Sequence, residues 1–124
     1  MTEDKIYHKV IRPLCKKNRI LVHRFESQSI PDVYMSKNGY VLWAELKSIK
    51  HYQAEIKPDW RIGQLAWIKR HAIYYSYNLC LILFYIDRVY FLKPKESYNP
   101  EELVDEKEYY LNILKKESVW KKTR

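Results

Sequence analysis

The chain has 124 residues, 31% of them charged and 15% aromatic, with only two glycines and a formal net charge of +8. That length supports one domain, 1–124, with a modest core, and an aromatic-rich, glycine-poor composition excludes a low-complexity or disordered chain. The longest apolar run, residues 79–86, has eight residues, far short of the roughly 20 that a membrane-spanning helix needs.

The first residues, Met-Thr-Glu-Asp-Lys, lead into no signal-peptide apolar core, so a soluble, intracellular protein is expected. Cys15 and Cys80 stand far apart in no motif, and Cys80, inside the apolar run, reads as a buried thiol in a reducing compartment. His8, His23, His51 and His71 show no zinc spacing. Charge is unevenly spread: residues 1–94 carry a net +8, residues 95–108 a net −4 and residues 109–124 a net +4. A basic main body supplies sequence-independent affinity for a phosphate backbone.

Residues 3–17 predict a helix, with Ile6, Val10 and Leu14 on one stripe and Thr2 as its cap. Glu3 and Asp4 favour the positive end of that helix. Pro13 removes a backbone donor and should kink or end it near Arg12. Residues 19–26 predict a strand with Ile20, Val22 and Arg24 on one face and Leu21, His23 and Phe25 on the other. Neither face is wholly polar, which suggests a strand within a sheet rather than at its edge.

Asn38-Gly39 is a strong hairpin signal, because both residues accept the positive φ of a tight turn. It joins a short strand at 34–36 to a longer one at 40–47. The polar connection 48–59 ends in Lys57-Pro58-Asp59, and Asp59 reads as the N-cap of a helix over 60–76. Leu65, Ile68, Ala72 and Tyr75 would form that helix's core stripe, with Gln64, Trp67, His71 and Tyr74 on the adjoining face. Residues 79–86 read as a central strand covered on both faces, with 88–93 as its hairpin partner. Asn99-Pro100-Glu-Glu opens a polar segment with acids at a helix beginning, followed by a last helix or broken helix carrying Leu103, Tyr110 and Leu114. A basic tail from about 115, with Trp120 as a possible anchor, is expected to fray.

The hairpin holds the chemistry. Its turn brings Asp32 near Glu45 and Lys47, and alternation puts Glu45 and Lys47 on one face with Val41 and Trp43. Two carboxylates beside a lysine suit a hard cation such as Mg²⁺. Such a cation lowers the pKa of a bound water and offsets charge developing on a phosphodiester. The same residues would also serve as a plain surface salt bridge. Lys50, His51 and Lys57 on the loop, Arg61, Lys69 and Arg70 on the helix, and Arg24 are candidate phosphate contacts.

The run from Arg24 to Trp67 resembles the PD-(D/E)XK nuclease superfamily, and within it the small Holliday-junction-resolvase-like and VRR-NUC-type enzymes often found in viruses. The resemblance rests on Glu26, Ser29-Ile30-Pro31-Asp32, Trp43-Ala44-Glu45-Leu46-Lys47, and Gln64 with Trp67. Ser29 stands where the family usually has Gly. The resemblance implies an α/β fold in αβββαβ order, a single mixed sheet of about five strands flanked by helices. It implies Asp32, Glu45 and the Leu46 carbonyl as metal ligands, with Glu26 a further candidate. Lys47 would orient or activate the water, and Gln64 would support it. In some members an acidic residue of the first helix also joins the metal; here that would be Glu3, which otherwise reads as an ordinary helix-start acid. The implied activity is Mg²⁺- or Mn²⁺-dependent cleavage of DNA, branched or single-stranded, by a homodimer where a four-way junction is cut. A monomer of the same fold cutting single strands or flaps is the enzymatic alternative, and a non-catalytic, nuclease-derived DNA-binding or interaction protein is the other.

Overall fold

In the computed structural model, residues 1–26, 31–61, 63–75 and 79–115 are described, apart from the side chains of 68 and 71–75. Ser29, Trp120, the basic tail beyond 115 and most of the expected stripe on the 60–76 helix lie outside those residues. The chain begins with α1 (Glu3–Ile6), which runs through a wide π turn (Tyr7–Ile11) into α2 (Arg12–Lys17). Thr2 caps α1 by accepting from the Lys5 N–H at 3.2 Å.

Pro13 neither breaks nor ends this helix. The turn before it widens, and the Arg12 N–H reaches back to the Tyr7 carbonyl, five residues away. The loosened turn accommodates the ring that would clash in a regular helix. It also shifts the apolar stripe: the buried residues are Ile6, Tyr7, Ile11 and Cys15, while Val10 and Leu14 are only half-buried. The expected spacing of four gives way to a step of five at the π turn.

Strands β1 (Leu21–Arg24), β2 (Val33–Lys37), β3 (Tyr40–Ile49), β4 (Leu79–Tyr85) and β5 (Arg88–Leu92) form one sheet in that order. β1–β2, β2–β3 and β4–β5 are antiparallel, and β3–β4 is parallel across the crossover helix α3 (Gln64–Tyr75). The sheet is therefore mixed, as expected. Lys37 pairs with Tyr40, leaving Asn38 and Gly39 as a two-residue turn with φ of 57° and 84°, the geometry this dipeptide favours. The β4–β5 turn is made by Ile86 and Asp87, and Ile86 has φ of 60°, an uncomfortable value for a β-branched residue.

β1 lies at the edge of the sheet, with only β2 beside it, and Leu21 is 66% exposed. The apolar residues on both its faces do not mark an interior strand; Val22 packs inward on the core while Leu21 faces solvent. β4 is buried on both faces. Cys80 and Ile82 join a cluster with the first helices, Leu42, Ala44, Leu46 and α4 (Lys107–Leu114). Leu81, Leu83 and Tyr85 meet Ile56, Leu92 and Tyr98 on the other side. Removing a fully buried side chain such as Leu81 would cost about 2–5 kcal/mol. Both thiols are buried, and burial pushes Cys15 up to about 11 and Cys80 higher still.

The last helix starts at Lys107, so Leu103 is not part of it. Asn99 instead caps a single 3-10 turn (Pro100–Glu102), its side chain accepting from the Glu101 N–H at 3.0 Å. Asp105 ties this segment to the sheet by accepting from the Phe91 N–H at 2.9 Å. No described helix is long and apolar enough to cross a membrane.

Candidate metal centre and basic cleft

Register decides which side chains meet. Along β3, Leu42, Ala44 and Leu46 enter one core, so Trp43, Glu45 and Lys47 face the other way, towards the start of α3. Asp32 sits just before β2 and is fixed to β3 by the Leu46 N–H, which donates to its Oδ2 at 3.1 Å. Glu3, in the first turn of α1, completes a cluster: one carboxylate oxygen from each of Glu3, Asp32 and Glu45 lies within 4.8 Å of the others. Glu26 is exposed and is not one of the three clustered acids.

Glu45 is 1% exposed. Its Oε2 accepts from Gln64 Nε2 at 2.8 Å, while its Oε1 is buried without a hydrogen-bond partner. Burial first, then the neighbouring Asp32, through the hydrogen bond that a protonated Glu45 could give it and through its charge, then Glu3, raise its pKa, and Lys47 opposes the rise. Glu3 is raised too, chiefly by desolvation and then by Asp32. A cation at this cluster would oppose both shifts, since it favours the charged carboxylates.

Gln64 connects the parts. Its Oε1 accepts from Lys47 Nζ at 3.2 Å and from the Arg61 N–H at 2.8 Å, and its Nε2 holds Glu45. It is the first residue of α3, because the helix begins at 64 rather than 60. Asp59 is therefore not the helix cap. Its main-chain carbonyl accepts from Lys47 Nζ instead, and the Trp60 ring lies 5.7 Å from the same ammonium. Trp67 packs edge-on against Trp43, with centroids 5.7 Å apart.

The donor set suits a hard divalent cation. Oxygens sharing a cation bound at roughly 2.0–2.6 Å lie at most about 5 Å apart, a span this cluster meets, and the unpartnered Glu45 Oε1 is a buried acceptor in need of a positive partner. Nothing in sequence spacing connects Glu3 to Asp32 and Glu45. The α1–β3 packing does so; in the sequence, Glu3 stands out only as an acid at a helix start and through the family resemblance.

The candidate phosphate contacts divide in two. Lys50, His51, Lys57 and Arg61 line a cleft of about 440 Å³, together with Glu3, Lys47 and Asp59. The others stand apart from it: Arg24 is engaged with Asp4 at 2.6 Å and Lys69 with Glu96 at 2.5 Å, while Arg70 is exposed on α3.

No protein-family model matches the chain, and no curated protein matches it either. Among solved structures it is similar to Hjc of Archaeoglobus fulgidus, a Holliday junction resolvase from an archaeal hyperthermophile. The TM-score is 0.53 at 14% identity, over 89% of this chain and 89% of that one. The likeness is one of fold: a single mixed five-stranded sheet with flanking helices, of the restriction-endonuclease-like type.

Proposed function

We propose that the protein is a Mg²⁺- or Mn²⁺-dependent DNA endonuclease of the PD-(D/E)XK type, acting on branched DNA. The observation that carries this reading is the buried Glu3–Asp32–Glu45 cluster, joined through Gln64 to Lys47 and opening on a basic cleft. The fold shared with a resolvase agrees with it.

Glu3, Asp32, Glu45 and the Leu46 carbonyl would hold the cation, which lowers the pKa of a water and offsets charge on the phosphate. Lys50, His51, Lys57 and Arg61 hold the DNA backbone across the cleft. Lys47 orients the attacking water and presents its charge to the scissile phosphate, fixed in place before reaction. The water's oxygen bonds to phosphorus as the bond to the leaving sugar oxygen breaks. Gln64 holds Glu45 and Lys47 at their working separation throughout. Tyr52, 68% exposed between His51 and Gln53, adds an aromatic surface beside the basic residues, where an unpaired base stacks. A four-way junction requires two active sites, hence a two-fold pair of chains.

The test is cleavage of matched four-way-junction, flap, single-stranded and duplex DNA in Mg²⁺, Mn²⁺ or EDTA, with Glu45→Ala and Lys47→Ala beside the wild type. Paired symmetric nicks on the junction, lost in EDTA and in both variants, are expected. Metal-dependent cutting of the other substrates would retain the nuclease and remove the resolvase. Binding without cutting under every condition would leave a non-catalytic DNA-binding protein.

A further inference from the structure

Lys47 is 6% exposed and neighbours three carboxylates, yet none of the ion pairs among the described residues joins it to Glu3, Asp32 or Glu45. Its charge is near enough to oppose the raised pKa of both Glu45 and Glu3. Opposite charges attract strongly in a partly screened site, and a lysine stem is long and flexible. Left to itself, this ammonium would close on a carboxylate and occupy the oxygens a cation needs.

Three groups of one segment hold it elsewhere. The Asp59 carbonyl and Gln64 Oε1 accept two of its protons, and the Trp60 ring centroid lies 5.7 Å from Nζ. The segment is itself pinned. The Trp60 N–H donates to the Pro58 carbonyl at 2.9 Å, the Gln64 N–H to the Arg61 carbonyl at 3.0 Å, and Trp60 packs on the Ile56–Leu81–Leu83 core. The Asp59 carbonyl is main chain and Gln64 also carries Glu45, so Trp60 is the side chain through which the hold on the ammonium is tested most directly.

We propose that Trp60 is a positioning residue: its ring, with the Asp59 carbonyl and Gln64, holds Lys47 off the Glu3–Asp32–Glu45 cluster and keeps those oxygens open to the cation. This rests on the metal-site reading above and adds a residue and a role to it.

Mn²⁺ affinity measured by calorimetry without DNA tests it, in wild type, Trp60→Leu, Trp60→Phe, Lys47→Met and the Trp60→Leu/Lys47→Met double variant. Trp60→Leu should bind Mn²⁺ about tenfold more weakly, the effect of ~1.4 kcal/mol of ring–ammonium attraction in a desolvated site. Trp60→Phe, which keeps a ring, should stay within about threefold of wild type. In the Lys47→Met background Trp60→Leu should change nothing, since no ammonium remains to collapse. Wild-type affinity in Trp60→Leu, or an equal loss in both backgrounds, would overturn the role and mark Trp60 as packing alone. Absence of Mn²⁺ binding to the wild type would instead overturn the metal centre itself, and this role with it.

Discussion

Glu45 gives the cluster a pH signature that Glu45→Gln should erase. In the metal-free fold, burial and the adjacent Asp32 raise the Glu45 pKa above its ordinary 4.5. Between that value and the raised one, the folded protein keeps a proton that the unfolded chain has released. The unfolded state binds fewer protons, so stability falls as pH rises through this window. One proton corresponds to a slope of about 1.4 kcal/mol per pH unit, or roughly 4–5 °C of melting temperature for a domain of this size. Glu3, half-buried and shifted the same way, adds a smaller contribution of the same sign. Glutamine keeps an acceptor for Gln64 Nε2, carries no charge at any pH, and can donate to Asp32. Thermal melts in EDTA from pH 5 to 8 should show the wild type losing stability relative to Glu45→Gln by about that slope. Saturating Mn²⁺ should flatten the wild-type curve, because the cation takes the proton's place. Parallel wild-type and Glu45→Gln curves in EDTA would refute the argument.

Gln64→Leu should destabilise the metal-free protein by about 3 kcal/mol in urea unfolding, since Glu45 Oε2, Lys47 Nζ and the Arg61 N–H each lose a partner. A loss below about 1 kcal/mol would mean that water replaces the amide without cost. Replacing Ile86 by Gly should stabilise by about 1 kcal/mol, because a φ of 60° crowds a β-branched side chain that glycine lacks; an unchanged denaturation midpoint would contradict this. For DNA binding, Lys57→Ala and Arg61→Ala should each lower the salt slope of log K by about 1, while Arg24→Ala and Lys69→Ala should scarcely move it. Equal effects from all four would dissolve the cleft as the preferred path of the backbone.

Much of the architecture was legible because local rules and tertiary pairing agree. Asn38-Gly39 set the β2–β3 register, and that register brings Asp32 to Glu45 while keeping Glu45 and Lys47 on one face. The apolar run 79–86 signalled a strand with no solvent side, as β4 is. What stayed hidden depends on packing between distant segments. Glu3, which the residues alone left as an ordinary helix-start acid and only the resemblance raised as a candidate, reaches the cluster because α1 lies against β3. Gln64 begins its helix rather than sitting inside it, since the backbone from 59 to 61 is engaged with Lys47 and with the Gln64 side chain. β1 looked interior from its residues alone, but Leu21 points outward at the sheet's rim.

The π turn before Pro13 sets the phase between the two ends of the first helix. Each residue of a regular helix advances the chain by about 100°. Were this turn to tighten into regular winding without losing a residue, the N-terminal turn would swing by about that angle relative to α2. Ile6 would leave the core, and Glu3, one turn ahead of it, would leave the carboxylates. A change of winding several residues from the candidate site would therefore take one carboxylate from the cluster. Helix winding and site composition are inherited together in this fold.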